Sequence, residues 1–475
     1  MSETKQLETL SVLAEASKER EREQKRMPVA TVRVSPGPYL AVACVLTFSS
    51  ALLLRAENDV LALILLLVAW LVIPIVALTD RIVFDGQSLS RRGLVSLVLR
   101  LVSGYREQLG IHDFETVETN AVRTLRRGGR VRYRYRTQIA GKGKEFVFAS
   151  GGGNYRRIVR ELFPLIHEDK LDSRSRDLRD YLNEPRSLNR KVRQSGLASD
   201  DVLDVAKPDY RLGGKPNGRQ EASGQTSEED IERAHVLRRL GNELRVSGRL
   251  REAGEAFRRA LNVSPRGAWL IYDFARLLRS QASAQGDARL LVRARAALRL
   301  ACIRADKDEV LLPLIGESFL ECGDAKQARL ALQKAADVDS GNFKARLGLA
   351  DIALRDGKLA HVIHHYHEAA RVTSEQALAR YARREADYYL RLNDDEDYLA
   401  AELKRISWLQ NITRVRRLAA RTTNAGILLA LVGGYFDPIA SSFGWSLASA
   451  SLIAWVLALL GIRLLFTRSK PRSVA

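Results

Sequence analysis

Leu240–Phe257 reads LGNELRVSGRLREAGEAF. Widened to Ala234–Pro265, the stretch carries large apolar residues at Leu237, Leu240 and Leu244 and a small one at Gly241. Gly248 follows, then Ala253, Phe257 and Ala260, and Pro265 closes the segment. Apolar residues three and four apart mark one face of a helix. Gly248 interrupts that face, and the pattern restarts on a second helix. Small residues let two antiparallel helices approach, while large ones fill the seam between neighbouring pairs.

The pattern returns along the chain. Thirty-four positions after Gly241 stands Ala275, flanked by Phe274 and Leu278. An insertion, SQASAQGDARL, lengthens the next turn before Ala294, Leu298 and Ala301 recover the phase. A third unit runs through Ile315, Gly316, Phe319, Gly323, Ala328, Leu332 and Ala335. A fourth has Leu349, Ala350, Ala353, Gly357, Val362, Tyr366 and Ala369. Four units in phase over 228–375 resemble a tetratricopeptide array, with capping helices expected over 376–420. The resemblance implies a concave groove lined by the first helix of each pair. By register that groove holds Arg238, Asn242, Arg245, Arg276, Arg279, Glu317, Glu321, Asp351 and Arg355. It would be basic at one end and acidic at the other, suited to an extended or helical peptide of mixed charge. Ordinary solvated side chains are the competing reading.

Apolar runs flank this array: Tyr39–Leu54, Val60–Thr79, Asn424–Phe436 and Trp445–Ile462. A spanning helix needs about 17–25 residues. The second run meets that outright, and Pro74 is tolerated within it. The third is short; it either begins near Arg421 and crosses, or re-enters. A signal peptide is the rival reading of the first run, but a charged stretch precedes it and no small-residue cleavage pattern follows. The expectation is two transmembrane hairpins, 38–80 and 421–466. Lys and Arg cluster outside them, at Lys18–Arg26 and Arg33, at Arg81, Arg91 and Arg92, at Arg414, Arg416, Arg417 and Arg421, and at Arg463, Arg468, Lys470 and Arg472. The hairpin turns hold only Arg55. The positive-inside rule then puts the basic N-terminal segment 1–37, residues 81–420 and the tail 467–475 in the cytosol, beneath a bacterial inner membrane.

Between the first hairpin and the array, the block 81–185 alternates strand and turn signals. RIVFDGQSLSRRG, IHDFETVET and VRYRYRTQIAGKGKEFVFAS predict strands, and GGGNYRRIVRELFPLI a turn into an amphipathic helix. Strands closed by one helix resemble a small pleckstrin-homology-like domain of the bacterial type. Arg130, Arg132, Arg134 and Arg136 alternate with Val131, Tyr133 and Tyr135, so four guanidinium groups share one strand face. That face is either plainly solvated or a comb for anionic lipid, worth about 1 kcal/mol per basic residue near an anionic leaflet. The Gly151–Asn154 turn is read as a strand-to-helix connection rather than a phosphate loop. Residues 186–227, polar and rich in Gly, Ser, Asp and Lys, read as a flexible linker with at most a short turn near Asp200–Val205.

The fold class is thus a multi-domain α+β membrane protein. The net charge is +20, which attracts lipid head groups, nucleic acid or acidic proteins. Nucleic acid ranks lowest, since no stacking platform or recognition helix accompanies the charge. Cys44, Cys302 and Cys322 form neither a disulfide framework nor a zinc motif. His361, His364, His365 and His367 are read as a solvated face, with metal binding the alternative. No catalytic or nucleotide signature is present, so no enzyme and no cofactor are expected. The expected role is a membrane-anchored scaffold that recruits a protein partner through the groove; a lipid- or envelope-handling factor is the alternative.

Overall fold

The structure, a computed structural model, describes residues 30–34, 37–94, 96–97, 101, 107–125, 131–150, 153–197 and 228–466. The basic run Lys18–Arg26, Arg130, Gly151 and Gly152, the Asp200–Val205 turn and the tail 467–475 lie outside these residues. The chain divides at 43/44, 62/63 and 386/387 into two compact units.

The first unit contains two antiparallel sheets. One has the order β1 (Ala30–Arg33), β2 (Arg81–Phe84), β3 (Ser88–Arg92), β4 (Gln108–Gly110). The other is β5 (Thr116–Leu125), β6 (Val131–Gly141), β7 (Lys144–Ala149). Asp85 caps the β2–β3 turn by accepting from the Ser88 amide at 2.7 Å, and Gly86 supplies a φ of 92°. Helix α1 (Gly37–Arg55) and helix α2 (Asp59–Thr79) intervene between β1 and β2, yet Ala30 lies opposite Phe84 and Arg33 opposite Arg81. By sequence 30–33 fall within the basic N-terminal segment, because four residues with one alternation are too short a signal to register as a strand.

Helix α3 (Gly153–Leu162) covers the sheets with Tyr155, Ile158, Val159 and Leu162, each at most 2% exposed. These pack with Phe84, Leu89, Phe114, Ile139, Phe146 and Phe148 into one core. Burying each such side chain contributes about 1.5–3 kcal/mol. Leu178 of helix α4 (Ser173–Tyr181) joins this core, as does Val246 from the first array helix.

The array follows as four helix pairs: α6 (Glu228–Ser247) with α7 (Leu250–Val263), α8 (Ala268–Gln285) with α9 (Ala288–Ala305), α10 (Leu311–Glu321) with α11 (Ala325–Val338), and α12 (Phe343–Arg355) with α13 (Leu359–Val372). The small positions act as the pattern requires. A Cβ on Gly241 would meet the Phe257 ring at 2.7 Å, and one on Gly316 would meet Leu332 at 2.5 Å. The insertion lengthens α8 and α9, and Gly286 ends α8 with a φ of 71°.

The reading of 186–227 as linker is corrected at its start. Helix α5 (Pro185–Gln194) buries Leu188 and Val192 on the array core, and Leu197 follows them. Pro185 suits a helix start, but with only two buried residues in ten the period is too weak to read from sequence.

In the second unit, the helix Glu396–Phe436 runs 41 residues without a break and turns at Asp437 into Pro438–Phe466. The third apolar run is the end of this long helix. The pair packs backbone against backbone: a Cβ on Gly426 would meet the Ala448 amide at 2.7 Å, and one on Gly444 the Ala430 amide at 2.4 Å. Residues 44–62 belong to the same unit. Phe48 lies 5.7 Å from Trp445 between ring centroids, and Ser50 donates to the Ala62 carbonyl at 2.7 Å. Among the described residues two helices, Asp59–Thr79 and Pro438–Ile462, are long and apolar enough to cross a membrane; Tyr39–Arg55 is shorter. In α2 the turn Val68–Val72 widens to π geometry just ahead of Pro74, which supplies no amide.

Candidate functional site: the groove and the helix within it

The first helices of the first three array pairs meet the chain's own α4 along the groove. Asp172 caps α4 by accepting from the Ser175 amide at 2.8 Å. A run of buried hydroxyls ties the helix to the second sheet and α3: Ser175 to Thr119 at 2.8 Å, Thr119 to Thr137 at 3.1 Å, Thr137 to Tyr155 at 2.9 Å. So α4 is fixed on one side by the strands and offers its other side to the groove.

Asp177 is the centre of the contact. Arg245 Nη2 and Nη1 donate to its two oxygens at 2.7 and 3.0 Å, and Arg276 Nη2 donates to Oδ2 at 2.6 Å. Asn242 steadies Arg245, accepting from its Nε at 3.2 Å. Burial alone would raise the Asp177 pKa, but the two guanidinium groups outweigh it and hold it at about 2. Arg276 also donates to the Ser173 carbonyl at 3.3 Å and lies 5.5 Å above the Tyr272 ring. All three charged groups are buried. Ion pairs this deep add little net stability, because desolvation offsets attraction, yet removing one partner is expensive.

The contact continues along the array. Arg176 pairs with Glu317, and Ser173 Oγ donates to Glu321 at 2.6 Å. Arg279 also pairs with Glu321; burial and then the neighbouring Arg276 charge pull Arg279 down to about 10. Lys344 of the fourth pair lies 3.7 Å from Asp169, and buried Lys170 donates to Glu375 at 2.9 Å. Beyond the fourth pair, Arg384 reaches Glu115 at 3.0 Å and Arg380 reaches Asp113 at 3.6 Å. At the opposite end, Tyr135 of β6 donates to the Val246 carbonyl at 2.5 Å.

The register thus brings Asn242, Arg245, Arg276, Arg279, Glu317 and Glu321 to one surface, and that surface already holds a segment of the same chain. Arg238 faces within the array, with Nε 2.6 Å from Asp273 and its guanidinium 5.1 Å from the Trp269 ring. Asp351 and Arg355 are exposed on α12 and make no hydrogen bond or ion pair to α4 among the described residues. Sequence reasoning missed Ser173, Arg176 and Asp177. Their only signal was SRSRDLRDY, a polar stretch whose charges complement a groove 68 and 99 residues away.

On β6, Arg132, Arg134 and Arg136 are exposed while Val131, Tyr133 and Tyr135 are half-buried, an alternation a strand imposes. Of the histidines, His361, His364 and His367 are exposed and His365 is half-buried, where burial and then the neighbouring His364 lower its pKa to about 4. Among the described residues no three His, Cys, Asp or Glu side chains come together in a metal-holding group.

No protein-family model and no curated protein matches the chain. Among solved structures it is similar to the crystal structure of MamA protein, at 16% identity over 37% of this chain and 96% of that one, with a TM-score of 0.25. It is also similar to the APC/C hetero-tetramer Cut9–Hcn1, at 14% identity, 65% and 52% coverage and a TM-score of 0.30. A third is PilF of Pseudomonas aeruginosa, at 15% identity, 37% and 100% coverage and a TM-score of 0.20. The tetratricopeptide-like character of the array rests on its own hairpin geometry.

Proposed function

We propose that this chain is a membrane-anchored interaction scaffold of the tetratricopeptide type. Its apolar hairpins hold it in a bilayer, and its array and strand-rich module stand on the cytosolic side, where Lys and Arg accumulate. The outward apolar side chains of α2 support the anchor: Trp70 is 63% exposed and Leu71 60%. So does the close glycine packing of Glu396–Phe436 against Pro438–Phe466. The seven described strands, split four and three and packed under α3, support a pleckstrin-homology-like reading of the module.

One observation carries the interaction role. The groove grips a short helix through an acid, Asp177, set between Arg245 and Arg276. A partner helix with an acid at that place is taken up by exchange with α4. The test is a fluorescent peptide of residues 168–182, added to the detergent-solubilised full chain. It should bind the Asp177→Asn protein, whose internal helix is weakened, more tightly than the wild type, and a peptide lacking the acid should bind neither. Equal binding to both proteins, or none to either, would sink the exchange. For the anchor, alkaline washing of native membranes should leave the chain in the pellet, and external protease on spheroplasts should spare 81–420.

A second reading, that the module holds anionic lipid, is favoured by the shared outward face of Arg132, Arg134 and Arg136.

A further inference from the structure

Where the module meets the start of the array there is a cavity of about 930 Å³, apart from the groove that holds α4. Strand β7 ends at Ala149, opposite Arg136, so the residues of β6 before Tyr135 form a sheet edge on that side. Residues 131–134 of this edge line the cavity. Its other walls are the first turn of α3, helix α5, and the Gly248 turn between α6 and α7. That turn is pressed on the strand: a Cβ on Gly248 would lie 2.2 Å from the Val131 carbonyl oxygen. The space is therefore composite, closed by the helix that the sequence reading placed in a linker.

Five arginines line it, Arg132, Arg134, Arg156, Arg193 and Arg249, against one acid, Glu243. The acid is already engaged, accepting from Lys191 Nζ at 2.6 and 2.8 Å. Arg249 is also engaged, by Glu252 at 2.5 Å and Asn189 at 2.7 Å. Arg134, Arg156 and Arg193 make no ion pair among the described residues. They come from three elements, a strand edge and two helices, so no single charged face accounts for their convergence. Like charges gathered round a concavity repel, and an anion placed among them relieves that repulsion. A guanidinium presents its donors as a planar fork that fits two phosphate oxygens at once. Tyrosine rings and the apolar side chains of Leu182, Leu188 and Val192 complete the wall. The volume falls in the range of about 300–1,000 Å³ usual for small ligands.

We infer that this cavity binds a phosphate-bearing anion, held by Arg134, Arg156 and Arg193. The inference is independent of partner exchange in the groove, and it shares Arg134 with the exposed arginine face. Arg136 belongs to that face but does not line the cavity, so it serves as an internal control.

The experiment uses the full chain in a neutral detergent and two probes: inorganic pyrophosphate, and a short-chain phosphatidylglycerol below its micelle concentration. Calorimetric titration should show saturable binding of at least one. Binding of the lipid alone assigns the anion to a head group, and binding of pyrophosphate alone assigns it to a soluble phosphate. Arg156→Gln with Arg193→Gln should weaken binding by about tenfold or more, and Arg136→Gln by less than about twofold. Should the double variant melt early, Arg193→Gln alone, on an exposed position of α5, should still lose several-fold. No saturable binding of either probe, or an equal loss from Arg136→Gln, overturns the inference.

Discussion

Two sets of arginines look alike in the sequence and behave in opposite ways in the fold. Arg245 and Arg276, on first helices of the array, are 5% and 7% exposed and close on one carboxylate. Arg134 and Arg136, on β6, stand in solvent. Neither helix register nor strand alternation separates the two cases. What separates them is an acid delivered from elsewhere in the chain. Desolvating a guanidinium costs several kcal/mol unless a carboxylate meets it. Asp177 meets two, so two arginines are buried; among the described residues Arg134 and Arg136 have no such carboxylate.

The sharpest way to break this contrast is Asp177→Ala. It leaves two buried cations without their shared anion and should lower stability by about 3–5 kcal/mol, read as the unfolding midpoint in denaturant. The second test follows the proton. The folded Asp177 pKa is about 2, below the ordinary 3.8, so its contribution is complete above about 3.8 and fades as pH falls through about 2. The stability gap between wild type and Asp177→Asn should therefore be full at neutral pH and shrink across that window. A gap unchanged at pH 2 would mean that the carboxylate is not the species Arg245 and Arg276 hold. Third, Gly248→Ala puts a Cβ against Val131 at a φ of 85° and should cost about 1–3 kcal/mol. Fourth, Tyr135→Phe removes the bond to the Val246 carbonyl and should cost about 1 kcal/mol. At the far end, Arg136→Gln should change the melting midpoint by no more than about 0.5 kcal/mol would, since nothing is buried with it.

The array was legible because its determinants are local. Gly241 and Phe257 meet within one hairpin, as do Gly316 and Leu332, so a period carries the information. The strands β2, β3, β6 and β7 were legible for the same reason, each pair joined by a tight turn around Gly86 or Gly143. The occupant of the groove was not, because Asp177 finds its partners 68 and 99 residues on and its own helix lacks an apolar face. Helix α5 was hidden likewise: Leu188 and Val192 are apolar, but only the array gives them something to cover. The groove residues could be placed by register, whereas their engagement by the same chain depends on long-range pairing that no window of sequence contains.

The strand pair β1–β2 has a consequence for biogenesis. Val32 sits opposite Ile82 and Arg33 opposite Arg81, one strand ahead of the α1–α2 hairpin and the other just behind it. Just inside that pair, Tyr39 and Arg91 converge on fully buried Asp80, with Arg91 Nη2 2.6 Å away. Hydrogen-bonded strands lie about 4.8 Å apart, so both ends of the α1–α2 segment must come together on one side before the sheet can zip. An arrangement that left the two ends of this segment on opposite sides would separate β1 from its mate and leave the edge of β2 bare. Under the anchoring proposed above, completion of the module would act as a check on insertion of the α1–α2 pair.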